Sequence, residues 1–191
     1  MNHYTSDLHL FHKNIVKFTN RPDMNVEDHN EWIIALWNSQ VKPGDTVYHL
    51  GDFCFAGTSK LQEILSITQR LNGNIVFLIG NHDSENMLNQ IAALRTKGKT
   101  EVCHYKEIRI GGVRTILNHY CYYVWNQCFR GSYHLFGHSH GSLEHPGKAL
   151  DVGLDNSYNL FGEHRFFTDE DIIKYMETKP VFSPDHHKVR D

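Results

Sequence analysis

The chain is poor in cysteine and has no long apolar run. Four cysteines occur among 191 residues, and none of them form the C-x-x-C pair of thiolate zinc sites and dithiol redox proteins. No apolar segment approaches the ~18 residues that a membrane span needs. The N-terminus lacks the basic and apolar regions of a signal peptide. We therefore expect a cytoplasmic protein with reduced thiols and no membrane partner.

The chain also lacks an excess of basic residues. Nineteen lysines and arginines stand against 22 aspartates and glutamates, which gives a formal net charge of −3. This balance argues against a nucleic-acid binder that relies on overall basicity, so nucleic acid is a less favoured partner. It is compatible with a small phosphate-containing molecule bound by a local group of charges. Histidine, in contrast, is abundant, with 15 copies.

The alternation of short apolar runs with helical patterns is typical of the α/β class. We expect one domain over residues 1–180, followed by a polar tail over 181–191, in which His186 and His187 are solvated. Gly111 and Gly112 predict a hairpin over 101–120, which would add antiparallel strands and make the sheets mixed. The remaining strands are expected to end near residues 6, 52, 80, 137 and 153, and the helices to cover 27–40, 61–71, 84–95 and 169–178.

Five predicted strands, far apart in the sequence, end in side chains that can bind metal ions. These side chains are Asp7 and His9, Asp52, Asn81 with His82 and Asp83, His119, and finally His138 with His140. Ligands gather beyond the carboxyl ends of strands in α/β folds, so the five ends are expected to converge. Carboxylate, amide oxygen and imidazole suit Mn, Fe, Ni and Zn, and a shared carboxylate can bridge two ions. We therefore expect two divalent metal ions.

The ordered motifs D-x-H, GD, GNHD, a single histidine and GHxH resemble those of the calcineurin-like metallophosphoesterase superfamily. The resemblance extends from Asp7 to His140. It implies a sandwich of two mixed β-sheets flanked by helices, with a dinuclear metal site at the carboxyl ends of the strands. The implied ligands are Asp7, His9 and His140 for one ion and Asn81, His119 and His138 for the other, with Asp52 as the bridge.

The branch of the superfamily is indicated by motifs that are absent. The chain has GDFCFAG and GNHD, without the GD-x-x-x-RG and GNHE blocks of the protein phosphatases and their dinucleoside tetraphosphatase relatives. It is more similar to small phosphodiesterases of bacteria and phages. The resemblance implies that a metal-bound hydroxide hydrolyses a phosphodiester, with a nucleotide or cyclic nucleotide as substrate and manganese as the favoured metal. A phosphomonoesterase or nucleotidase and a non-catalytic metal-binding scaffold are the alternatives.

Further residues follow from the same resemblance and from their positions. His82 would protonate the leaving alkoxide, and Asp83 would orient His82. Contacts to the substrate phosphate are predicted for His12, Lys13, Asn14, Arg21 and Arg130, with a solvated surface as the alternative. Asp151 and Asp155 are candidates for supporting the ligands, and Phe11 either narrows the approach or stacks on a base. The glycines beside His138 and His140 are expected to make the turn there, with Ser139 as a spacer.

Overall fold

Two β-sheets lie at the centre of this computed structural model, which describes residues 1–184. The strands are β1 (Asn2–Thr5), β2 (Thr46–Leu50), β3 (Asn74–Leu78), β4 (Thr100–Cys103), β5 (Lys106–Ile110), β6 (Val113–Leu117), β7 (Tyr133–Phe136), β8 (Ala149–Asp151) and β9 (Phe167–Thr168). The helices are α1 (Ile15–Phe18), α2 (Val26–Gln40), α3 (Leu61–Arg70), α4 (Glu85–Leu94), α5 (Leu154–Phe161) and α6 (Asp169–Glu177).

Both sheets are mixed. The first has the strand order β4-β3-β2-β1-β9, in which β9 alone runs antiparallel to its neighbour. The second has the order β5-β6-β7-β8, in which β5 and β6 are antiparallel and the other pairs are parallel. The prediction of an α/β fold with two mixed sheets flanked by helices is therefore confirmed.

The alternation of side chains along β3 divides the core into two parts. Ile75 and Phe77 pack in a cluster with the apolar faces of α2, α3 and α4. Val76 and Leu78 point to the opposite face, where they belong to the cluster between the two sheets. All four are buried, as expected for a strand with both faces covered. The two sheets therefore pack against each other, and α2, α3 and α4 cover the other face of the first sheet.

The helix starts follow from capping residues in the sequence. The side chain of Asn25 accepts a hydrogen bond from the backbone N–H of Asp28 at 2.8 Å, at the start of α2. Ser84 caps α4, and Thr168 forms a capping box with Asp171 at the start of α6. These bonds satisfy backbone N–H groups that have no partner within the helix. The four predicted helices are present, with shifts of at most one residue at each end.

The predicted hairpin over 101–120 is wrong in its first part. Its first ten residues form two strands, because β4 pairs parallel with β3 in the first sheet and β5 begins the second sheet. The chain crosses between the sheets at His104 and Tyr105. Only β5 and β6 form the hairpin, around Gly111 and Gly112. Helix α5 was not predicted, because only a strand end near residue 153 is expected there from the sequence.

The predicted polar tail begins with residues that contact the domain. The ring of Phe182 lies 4.9 Å from that of His145 and 5.4 Å from that of Tyr123. The predictions for His186 and His187 lie outside the described residues. Within residues 1–184, no helix has the length and apolar character needed to cross a membrane.

Candidate metal centre and active site

The carboxyl ends of five strands meet at one edge of the two sheets. They bring six histidine and aspartate side chains into two groups, each with its ligand atoms within 4.8 Å of one another. One group is Asp7, His9 and His140, and the other is Asp52, His119 and His138. Of these residues, His138 is exposed and His140 is half-buried, while the other four are buried. The groups therefore open to solvent on the side of the second sheet.

Asp52 connects the two groups, and Asn81 joins two histidines of the second group. The Oδ2 atom of Asp52 lies 3.7 Å from Nε2 of His9 and 3.6 Å from Nε2 of His119. The Oδ1 atom of Asn81 lies 3.0 Å from Nε2 of His119 and 2.9 Å from Nδ1 of His138. The structure thus brings all seven predicted ligands together, with Asp52 between the two sets that the sequence analysis distinguished.

The hydrogen positions on two imidazole rings indicate which kind of ligand these side chains fit. The Nδ1 atom of His119 lies 2.7 Å from the carbonyl oxygen of Leu50, which can only accept, so Nδ1 carries the hydrogen. In the neutral ring, Nε2 then directs a lone pair at Asn81 and Asp52. His140 is oriented in the same way, because its Nδ1 donates to Asp155 at 2.7 Å. Lone pairs that face one another suit a cation between them, so these side chains fit divalent metal ions.

The electrostatics of the buried groups lead to the same conclusion. Burial, followed by the nearby Asp151 carboxylate, raises the pKa of Asp7 well above its usual range. Burial and the neighbouring Arg21 lower the pKa of His9 to about 2, so this ring is neutral. A buried carboxylate beside a neutral imidazole has an unmet need for positive charge. A divalent cation would supply that charge.

The backbone is strained where the ligands stand. Seven residues other than glycine have a positive φ among the described residues, a region that L-amino acids rarely adopt. Five of the seven are the predicted ligands Asp7, His9, Asp52, His138 and His140. Such residues persist only where the surroundings fix them, and they concentrate at functional sites. The strain therefore supports the assignment of this edge as the functional site.

The turn at His138 and His140 differs from the expectation. The two histidines themselves adopt positive φ values of 68° and 49°, joined by Gly141 at 76°. Gly137 has a different role, because a Cβ atom there would lie 2.4 Å from Oγ of Ser6. Ser139 is more than a spacer, since its hydroxyl donates to Asp151 at 2.7 Å. The same Asp151 oxygen accepts the Gly141 N–H at 2.8 Å, so Asp151 holds this loop in place.

Asp83 does not orient His82 as predicted. Its two oxygens accept hydrogen bonds from four backbone N–H groups, those of Asp52, Phe53, Cys54 and Gly80, at 2.8–3.3 Å. No described hydrogen bond joins it to the His82 ring within residues 1–184. The backbone N–H of His82 instead donates to Oδ1 of Asp52 at 2.9 Å. Asp83 therefore fixes the loop that carries Asp52, and the His82 ring is exposed at its rim.

Arg21 is also placed differently from the prediction, which made it a substrate contact. Its guanidinium is fully buried and donates two hydrogen bonds to Asp155, both at 2.9 Å. It also donates to the backbone carbonyls of Asp7 and Leu8. Asp155 in turn accepts from the predicted ligand His140, a contact compatible with the supporting role predicted for it. Arg21 and Asp155 lie 134 residues apart, and nothing in the sequence pattern pairs them.

The other predicted substrate contacts lie in two different places. The His12 ring is 5.6 Å from that of His9, and Lys13 and Asn14 follow it on an exposed loop. Arg130 lies in a 3₁₀ turn over 128–130, with its guanidinium 5.2 Å from the ring of Phe129. Among the contacts described for residues 1–184, none joins Arg130 to the ligand groups. The structure therefore brings His12 near the candidate site but gives Arg130 no link to it.

Comparison with known proteins finds relatives of uncharacterised function. The chain matches no protein-family model. It is 45% identical over 78 residues to an uncharacterised protein of Methanocaldococcus jannaschii, covering 41% of this chain and 44% of that protein. It is 34% identical over 89 residues to the gene 66 protein of Mycobacterium phage L5, covering 47% and 42%. These two matches span less than half the length of the relatives.

Longer matches are more distant. The gene 66 protein of Mycobacterium phage D29 is 26% identical over 181 residues, covering 82% of this chain and 89% of the phage protein. A protein of unknown function from Aquifex aeolicus superimposes with a TM-score of 0.65 and 22% identity, covering 92% of this chain and 98% of that one. An archaeal phosphodiesterase gives a TM-score of 0.49 with 18% identity, covering 84% and 87%. The Aquifex likeness shows a shared fold, and no activity follows from either structure.

Proposed function

We propose that this chain is a metal-dependent phosphoesterase that hydrolyses a phosphodiester. The observation that carries the proposal is the position of Asp52, whose Oδ2 atom lies 3.7 Å from His9 in one ligand group and 3.6 Å from His119 in the other. Two divalent cations bound there would supply positive charge for the phosphate oxygens and acidify a water molecule as the nucleophile. Manganese is the metal we favour.

The charge of the ligand set supports an anionic substrate. Asp7 and Asp52 contribute two negative charges, while the histidines and Asn81 coordinate as neutral groups. Two divalent cations would outweigh these carboxylates, so the centre would retain net positive charge. A phosphate ester at the open side of the groups, near His138, would neutralise it.

A diester fits the surroundings better than a monoester. Among the described residues 1–184, Arg21 is the arginine whose hydrogen bonds reach the ligand loops, and its guanidinium is fully engaged with protein groups. Within residues 1–184, the described hydrogen bonds bring no other arginine or lysine to those loops. A monoester carries a second negative charge near neutral pH, and the hydrogen bonds of residues 1–184 hold no second cationic side chain there to meet it. The singly charged diester requires less compensation.

His82 is the residue of this chain that we assign to proton transfer. Its ring is exposed and lies 5.6 Å from the ring of the ligand His9. Its backbone N–H donates to the Asp52 carboxylate, which holds this residue next to the ligand groups. A ring N–H of His82 would pass its proton to the departing alcohol oxygen, a role that contributes about 10²–10⁴-fold to a rate.

Turnover of bis-p-nitrophenyl phosphate tests the proposal. The purified protein is freed of metal with EDTA, dialysed and assayed before and after addition of Mn²⁺, with p-nitrophenyl phosphate as the matching monoester. We expect no turnover without metal, turnover with Mn²⁺ and a higher kcat/KM for the diester. Faster hydrolysis of the monoester would favour a nucleotidase. No turnover of either ester with Mn²⁺, Ni²⁺ or Zn²⁺ would favour a scaffold that binds metal without catalysis.

A further inference from the structure

Four aromatic rings form a closed circuit beside the ligand groups. The ring of His9 lies 5.6 Å from that of His12, which lies 4.6 Å from that of Phe55. The Phe55 ring lies 5.0 Å from that of His82, which returns to His9 at 5.6 Å. The Phe55 ring therefore contacts His82, the proposed proton donor, directly. It is linked to the predicted metal ligand His9 through one intervening ring.

Phe55 also separates two cavities. A cavity of about 300 Å³ contains His82 and residues 55–57, 83 and 84. A second cavity of about 470 Å³, which we name the aromatic groove, is lined by Phe11, His12, Lys13, Asn14, Phe18 and Phe55. Its volume lies within the ~300–1,000 Å³ usual for small-molecule sites. The aromatic groove and the cavity of the proposed catalytic histidine thus share the Phe55 ring as a wall.

The walls of the aromatic groove favour a planar ligand. Phe55 is 47% exposed and Phe18 is 75% exposed, so both rings present apolar area to water. Covering such area is favourable, and ring faces stack on other aromatic systems. Lys13 and Asn14 add polar groups at the same cavity, which matches the apolar lining with few polar groups of ligand sites. An aromatic heterocycle that bears polar atoms meets both requirements.

A hydrogen-bond donor stands between the aromatic groove and the ligand groups. The backbone N–H of Asn14 donates to Nδ1 of His12 at 3.2 Å, so Nδ1 is an acceptor. In the neutral ring, Nε2 therefore carries the hydrogen. This N–H can donate to an oxygen of a ligand that extends from the aromatic groove to His9.

We infer that the aromatic groove binds the base of a nucleotide-type phosphodiester whose phosphate lies over the ligand groups, with Phe55 as the stacking residue. This inference rests on the proposed phosphodiesterase function and assigns its substrate class. Stacking of a base on an aromatic side chain contributes about 1–3 kcal/mol. Phe55 would thus determine specificity, and the chemistry would remain with the ligand groups and His82.

Two esters with the same leaving group isolate the contribution of the base. They are the p-nitrophenyl ester of thymidine 5′-phosphate and methyl p-nitrophenyl phosphate, assayed with Mn²⁺. The variants are Phe55→Leu and, as a control, Phe161→Leu, which makes the same change on a ring that is 41% exposed at the end of α5. We expect the wild type to prefer the nucleoside ester at least ten-fold. Phe55→Leu should lower that preference at least five-fold, and Phe161→Leu should leave it unchanged.

Each outcome decides between the two proposals. Equal hydrolysis of both esters by the wild type, or an equal loss on both in Phe55→Leu, would overturn the aromatic groove and leave the phosphodiesterase function intact. If neither ester is hydrolysed, the phosphodiesterase function fails. Calorimetric binding of thymidine 5′-monophosphate then tests whether the aromatic groove binds a base. Binding that Phe55→Leu weakens at least five-fold, and Phe161→Leu does not, would support it. Absence of binding would overturn it.

Discussion

At the scale of single residues, five predicted ligands occupy backbone conformations that L-amino acids rarely adopt. A residue in the left-handed region costs on the order of 1–3 kcal/mol, and five predicted ligands share that condition. Two carboxylates and one guanidinium, none of which is a predicted ligand, hold these residues in that conformation. Asp83 binds the backbone around Asp52, Arg21 binds the carbonyls of Asp7 and Leu8, and Asp151 binds the loop after His138. These three side chains thus hold the backbone of the predicted ligands in place.

His82 can be separated from the ligands by substitution. In His82→Ala we expect both ions to bind as in the wild type, because the backbone N–H that donates to Asp52 remains. The kcat for the diester should fall about 10²–10⁴-fold, most for alcohols of high pKa. Metal content by plasma mass spectrometry and kcat would be measured together. His104→Ala, at another exposed histidine, is the control and should change neither.

Loss of an ion from His82→Ala would place His82 among the ligands. An unchanged kcat with both ions bound would remove it from the chemistry. These two results are distinct, so the assignment can fail in either way.

At the scale of elements, Asp155 shows how a helix supports the centre. It lies in the first turn of α5, accepts from the ligand His140 and receives two hydrogen bonds from Arg21. The carboxylate holds the Nδ1 hydrogen of His140 and thereby leaves Nε2 free for a metal. Such partners typically change metal affinity 10- to 100-fold.

The substitution Asp155→Asn tests this support, and the chain provides a matched control. Asp171 also receives two hydrogen bonds from an arginine, Arg165, at 3.2 and 2.7 Å. Asp155→Asn should lower Mn²⁺ affinity 10- to 100-fold in calorimetric titration. Asp171→Asn should lower the melting temperature, because it breaks the capping box of α6, and leave Mn²⁺ affinity unchanged. Equal affinities for the two variants would show that Asp155 does not support the centre.

The strand ends could be predicted from the sequence, but helix α5, which carries Asp155, could not. Parallel strands place their carboxyl ends at one edge, so polar residues after Thr5, Leu50 and Leu78 had to meet. The hydrogen bonds of Asp155 to Arg21 depend on tertiary packing across 134 residues, for which the sequence offers no periodic signal. The same limit explains why Asp83 was assigned to the His82 ring and not to the backbone of residues 52–54.

At the scale of the whole molecule, the candidate centre joins the two sheets. The loops after β1, β2 and β3 of the first sheet supply Asp7, His9, Asp52 and Asn81, and those after β6 and β7 of the second supply His119, His138 and His140. Bound metal would therefore cross-link the two halves of the sandwich. A ligand that binds only the folded state stabilises it by mass action, so Mn²⁺ should stabilise the protein as a unit.

Anomalous diffraction from crystals grown with Mn²⁺ tests the central claim most directly. We predict two anomalous peaks on either side of the Asp52 carboxylate, one next to Asp7, His9 and His140 and the other next to Asn81, His119 and His138. Crystals of the Asp52→Ala variant should lose occupancy at both positions. A single peak, peaks away from these residues, or full occupancy in the variant would contradict the account.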